Sequence, residues 1–148
     1  EAGGKGDPGA KGDPGPSAAL LRTFPTADLT GCHPGGAPRT SAAMTLPAGS
    51  YTLVAQLGAF NQLRSGGLGV SEPLETIVRC GIYLNGNLAT GSATTLRYGQ
   101  VAMISLVTGV GSANPVAVEI RCSHDATACN FLRIESQVLL ATRVGGFQ

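Results

Sequence analysis

Glycine returns at every third position, at Gly3, Gly6, Gly9, Gly12 and Gly15, and this period constrains the chain more than any other feature. The triplets read Gly3-Gly4-Lys5, Gly6-Asp7-Pro8, Gly9-Ala10-Lys11, Gly12-Asp13-Pro14 and Gly15-Pro16-Ser17. Only glycine fits at the crowded axis of three polyproline-II strands wound together, so an unbroken period of three is a steric requirement as well as a pattern. Proline sits only in the second or third slot, where its fixed φ suits that helix. A flexible linker would carry Gly and Ser without the period. The repeat therefore demands three chains. Five triplets alone are marginal, so the register is expected to be set by more triplets upstream, by the domain that follows, or by both.

The Lys-Gly-Asp sequence occurs twice, at Lys5-Gly6-Asp7 and Lys11-Gly12-Asp13. Lys in the third slot and Asp in the next second slot can pair between neighbouring chains. An integrin-type recognition triad is the sharper alternative, but the triplet register already accounts for both copies. Charge separates this segment from the rest. Residues 1–17 hold both lysines and three acids, whereas residues 18–148 hold eight arginines, six acids and no lysine. Two physically different pieces are joined. The expected organisation is a collagen-like Gly-X-Y segment at 1–17, a linker and first strand region at 18–42, and a β-sandwich trimerisation head at 43–148. Glu1-Ala2-Gly3-Gly4 shows neither an initiator Met nor a leader, so the chain is expected to begin in mid-protein.

Composition excludes several classes. Hydrophobic residues make up 43% of the 148 residues, too many for a disordered chain. A net charge of +1 gives no electrostatic case for nucleic acid. No apolar run approaches the ~18 residues of a membrane span, so no membrane insertion is expected.

Beyond Ser17 no stretch keeps a 3.6-residue apolar period. Short alternating runs are punctuated by Gly, Pro and Asn, the signature of strands and turns. After the turn Leu46-Pro47-Ala48-Gly49, residues Tyr51, Leu53, Ala55 and Leu57 share one face, with Thr52 and Gln56 on the other. Residues 59–76 read as a long loop containing Gly66-Gly67-Leu68-Gly69. Val78, Cys80, Ile82 and Leu84 then alternate with Arg79, Gly81 and Tyr83. Asn85-Gly86-Asn87 is a hairpin signal, because Asn-Gly accepts positive φ. A Thr/Ser/Ala-rich strand runs to about Leu96, and the turn Tyr98-Gly99-Gln100 leads into a strand over residues 101–107. Residues 109–115 read as a loop. Val116, Val118, Ile120 and Cys122 alternate with Ala117, Glu119 and Arg121, and residues 131–144 form a last long strand. The fold class expected is all-β, a two-sheet jelly-roll sandwich.

The order of these features resembles the head domains that follow collagen stalks in complement, and the related tumour-necrosis-factor domains. The matching runs are Ala48-Gly49-Ser50-Tyr51-Thr52-Leu53, Ile82-Tyr83-Leu84-Asn85-Gly86, Leu96-Arg97-Tyr98-Gly99-Gln100-Val101 and the strand at 131–144. The chain is also similar to the C-terminal domains of bacterial collagen-like proteins, and its Ala/Gly/Arg-rich composition suits a GC-rich bacterium. The resemblance covers about residues 43–144 and implies a homotrimeric jelly-roll head. The chain departs from the animal heads in having four cysteines and no aromatic-rich core motifs, so no animal ligand site transfers.

Cys32, Cys80, Cys122 and Cys129 allow three pairings. Alternation points Cys80 and Cys122 into the core, which favours a Cys80–Cys122 bridge across the sandwich with Cys32–Cys129 as the second. The rival is Cys122–Cys129 with Cys32–Cys80. Disulfides imply an oxidising compartment. A zinc site from Cys32, His33, Cys122, His124 and Cys129 matches no ligand-spacing template, so His33 and His124 are expected as exposed loop histidines, with no metal and no cofactor. No Gly-x-Ser-x-Gly elbow accompanies the adjacent His124 and Asp125, and no Gly-Lys-Ser/Thr follows the glycine-rich loop.

Arg79, Arg121 and Arg133 fall on outward strand positions. They could form a patch for anionic glycans, or serve solubility through pairs with Glu119 and Glu135. Tyr83, Tyr98 and Phe60 are the candidates for an aromatic sugar platform. Tyr83, Phe131 and Leu139 are the expected trimer contacts. Two functions of different class follow: a non-catalytic trimerising cap of a collagen-like stalk on a bacterial surface, spore or phage fibre, or an adhesin presenting loops 59–76 and 109–115 to a glycan or host protein.

Overall fold

In a computed structural model of the chain, residues 19–29, 37–63, 75–125 and 130–145 are described. The glycine triplets, Cys32, His33, Cys129 and the Gly66–Gly69 stretch lie outside them, as do the side chains of Gln62, Leu63, Asn130 and Phe131. The described residues form nine β-strands and no helix. These are β1 (Ala19–Phe24), β2 (Ala27–Leu29), β3 (Arg39–Leu46), β4 (Gly49–Leu63), β5 (Thr76–Leu84), β6 (Asn87–Leu96), β7 (Val101–Ser112), β8 (Val116–His124) and β9 (Asn130–Arg143).

The strands make two antiparallel sheets. One runs β1-β9-β4-β7, with β2 also on β9, and the other runs β3-β8-β5-β6. β1 and β2 act as one interrupted strand along β9. From β2 onward every connection crosses to the other sheet except the β5–β6 hairpin. That winding is a jelly roll. The stretch expected as linker and first strand region, 18–42, contributes β1, β2 and the start of β3 to these sheets.

Alternation builds the core. Leu53, Ala55, Leu57 and Ala59 of β4 point inward with Ile104 and Leu106 of β7. They meet Val78, Cys80 and Ile82 of β5 and Val116, Val118, Ile120 and Cys122 of β8 in one apolar cluster. Full burial of each large aliphatic side chain contributes about 1.5–3 kcal/mol.

Four expectations change. The loop expected at 59–76 is strand as far as Leu63 and again from Thr76. β4 continues through inward Asn61, whose Nδ2 donates to the Leu96 carbonyl at 3.2 Å and whose backbone carbonyl accepts from Gly99 N at 2.8 Å. A polar residue at an inward position thus anchors the β6–β7 turn instead of ending the strand. The loop expected at 109–115 shrinks, because β7 pairs with β4 up to Ser112 opposite Gly49. His124, expected exposed in a loop, is the last residue of β8 and only 9% exposed. It continues the inward even-numbered phase of Val116 to Cys122 and stands opposite Val78. Leu139, expected at a subunit contact, is 1% exposed and belongs to the core. A bulge is the cause: Gln56 pairs with Val138 but Gly58 with Glu135, so β9 carries an extra residue at Ser136, whose φ is 50°. The inward phase moves from Leu132 and Ile134 to Gln137, Leu139 and Ala141.

Candidate functional site

The β5–β6 hairpin shapes the outer face of its sheet. Asn85 and Gly86 both have positive φ, at 49° and 84°, the two-residue turn that the Asn-Gly pair predicts. Asn85 also ties the turn to β8, its N–H donating to the Ala117 carbonyl at 2.8 Å and its Oδ1 accepting from Ala117 N at 2.9 Å. Further along the hairpin Gly81 stands opposite Gly91. With no side chains there, the sheet surface is notched. Leu88 closes over the notch so tightly that a Cβ on Gly81 would lie 2.5 Å from Leu88 Cδ1 and 2.9 Å from the Thr90 carbonyl oxygen.

The notch opens into a groove of about 400 Å³, rimmed by Arg79, Tyr83, Leu88, Ser92, Arg121 and Ser123. The Arg121 guanidinium lies 4.6 Å from the Tyr83 ring centroid and is hydrogen-bonded to Glu119. Such a stacked cation contributes about 0.5–1 kcal/mol at an exposed site. Arg79 pairs with Asp125, and this hydrogen bond holds the Asp125 carboxyl below its usual range and the guanidinium above its own. Both arginines are therefore partly neutralised. The groove offers an apolar floor, the hydroxyls of Ser92, Ser123 and Tyr83, and two carboxylate-paired guanidiniums.

The three outward arginines do not form one patch. Arg79 and Arg121 lie on this face, whereas Arg133 lies on the other sheet, 3.1 Å from Asp28 and 4.0 Å from Glu135. Pairing with Glu119 and Glu135 is as the sequence suggested; Asp28 and Asp125 are partners it did not single out. The aromatic candidates are equally dispersed. Phe60 stands opposite Arg133 on the first sheet, Tyr83 flanks the groove, and Tyr98 is exposed in the β6–β7 turn. Sequence reasoning missed the groove because its floor is a pair of glycines facing each other across two strands, a matter of register.

The disulfide joins Cys80 to Cys122, which excludes the rival pairing through Cys122–Cys129. The two cysteines are direct partners on adjacent strands, so the bridge runs within one sheet and not across the sandwich as expected. With Cys122 bonded, it is no zinc ligand, and among the described residues no group of three His, Cys, Asp or Glu could hold a metal. Ser123 faces out while His124 faces in, so these neighbours present no paired nucleophile and base. No helix of the described residues is long and apolar enough to cross a membrane.

No protein family and no curated protein matches this sequence. Solved structures do match in shape. A chain in the structure of infectious bursal disease virus Gx strain aligns over 89% of this chain and 35% of its own, with a TM-score of 0.58 at 14% identity. The VP2 subviral particle of that virus aligns over 87% and 33%, with a TM-score of 0.57 at 13% identity. The likeness is one of fold. This chain thus spans about a third of those viral chains. The C-terminal domain of EclA, a sugar-binding protein, aligns over 82% of this chain and 76% of its own at a TM-score of 0.41 and 13% identity.

Proposed function

We propose that this chain is a non-catalytic structural protein: a homotrimeric head that follows a collagen-like stalk, aligns its three strands and caps it on a bacterial surface or appendage. The observation that carries this reading is the unbroken glycine period from Gly3 to Gly15, whose last triplet closes at Ser17, two positions before the first strand of a jelly-roll sandwich. A triple helix needs its three chains aligned to within one residue. A folded head that associates in threes supplies that alignment. The Cys80–Cys122 disulfide between neighbouring strands suits the oxidising space outside a cell. Light scattering on the full chain tests the reading. The expected mass is three times 14.9 kDa, together with a polyproline-type circular dichroism band that strengthens when triplets are added. A mass of 14.9 kDa at every concentration ends it.

The groove beside Tyr83 favours a second reading, an adhesin-type module for a glycan. A glycan array with the full chain, and loss of the signal on Arg121→Ala, is the expected result; an array without signal removes this reading and leaves the first.

A further inference from the structure

We infer that the outer face of the β1-β9-β4-β7 sheet is the surface through which copies of this chain pack on one another. This rests on the trimeric reading above and specifies its contact. Register brings one outward residue from each strand into a row: Leu21 of β1 pairs with Leu140 of β9, which pairs with Val54 of β4, which pairs with Val107 of β7. The row is wholly aliphatic. The rows on either side are Ala19, Thr142, Thr52 and Gly109, and Thr23, Val138, Gln56 and Ser105. Three adjacent rows therefore hold no charged side chain. The outward charges of this sheet, Asp28, Arg133 and Glu135, gather beyond them among the described residues.

Leu21 is 64% exposed in the single chain, Val107 58%, Met103 66% and Val101 58%. Three of these four lie on β7, a twelve-residue strand at the sheet edge. A long apolar edge pairs indiscriminately unless it is covered. The opposite sheet is built differently. Arg79, Arg121, Glu119 and Asp125 put paired charges on its outer face, which suits solvent.

Chain geometry selects the occupant. Ser17 closes the last triplet and β1 begins at Ala19. Two residues span at most about 7 Å. Three chains leaving one triple helix must therefore start three β1 strands side by side. Leu21, the β1 member of the aliphatic row, is two residues further on. The nearest surface to this face is the same region of another copy.

Val107→Glu in the full chain tests this, with Thr95→Glu on the outer face of the other sheet as control. Both positions are exposed, so neither charge enters the core. Val107→Glu is expected to lower the light-scattering mass threefold with the β-sheet spectrum kept, and Thr95→Glu to leave the mass unchanged. A second readout needs no substitution: in the trimer, peroxide should convert Met103 to its sulfoxide roughly ten-fold more slowly than in the urea-unfolded chain. If Val107→Glu keeps the unmodified mass, or if Met103 in the trimer oxidises as fast as in the unfolded chain, the inference fails while the trimeric reading stands. An unmodified chain that is monomeric overturns both.

Discussion

His124 shows how one residue's setting reverses its chemistry. Burial at the end of β8 lowers its pKa below the usual 6.5, the nearby Arg39 charge lowers it further, and Asp125 opposes only in part. Its Nδ1 is buried with no hydrogen-bond partner among the described residues, so nothing rewards a proton there. The folded state therefore binds a proton less readily than the unfolded chain. By linkage, this residue costs nothing above pH 6.5 and weakens the fold as pH falls through the unfolded value, levelling off below the folded one. Denaturant midpoints for the unmodified chain are expected to fall between pH 7.5 and 5, and His124→Gln should flatten that slope. Equal slopes for unmodified and His124→Gln proteins would refute the assignment.

At the level of elements, β9 carries the decision that most affects the surface. Ser136 holds a left-handed φ of 50°, a conformation that costs a non-glycine residue about 1–2 kcal/mol. The extra residue turns Leu139 and Ala141 into the core and leaves Val138 and Leu140 outward. Ser136→Val is expected to destabilise by about 1–2 kcal/mol, whereas Ser136→Gly should be neutral or slightly stabilising. Equal denaturation midpoints for the two variants would contradict a bulge there. This is where the sequence stops being legible. The phases of β4, β5 and β8 follow from their alternating side chains, and the Asn85-Gly86 turn from its two residues. The phase of β9 does not, because Glu135-Ser136-Gln137 contains no glycine or proline to mark an inserted residue. The same limit hid the groove and the aliphatic row, which exist only once strands from distant parts of the chain are placed in register. The loop expected from residue 59 likewise starts too early, because the bonds that hold Asn61 to Leu96, Gly99 and Gln100 join parts of the chain far apart in sequence.

The whole molecule divides its labour between two outer faces and two segments. One face is grooved and carries paired charges, and the other holds an aliphatic row with its charges gathered beyond it. On the trimeric reading, the glycine triplets need three chains held in register and the head needs a neighbour to cover its aliphatic face. Each segment would then provide what the other lacks, and that coupling has a thermodynamic signature. Association stabilises the folded chain by mass action, so the melting temperature of the head should rise with protein concentration. In a triple helix Gly9→Ala would add a methyl group at the axis, where no room exists for it. It should abolish the polyproline-type transition and lower the head's melting temperature at low concentration only, where the lost stalk no longer raises the local concentration of heads. At high concentration the head of Gly9→Ala and that of the unmodified chain should melt together. Calorimetry over a hundred-fold dilution range reads both effects. A head transition independent of concentration and indifferent to Gly9→Ala would mean that stalk and head fold without reference to each other.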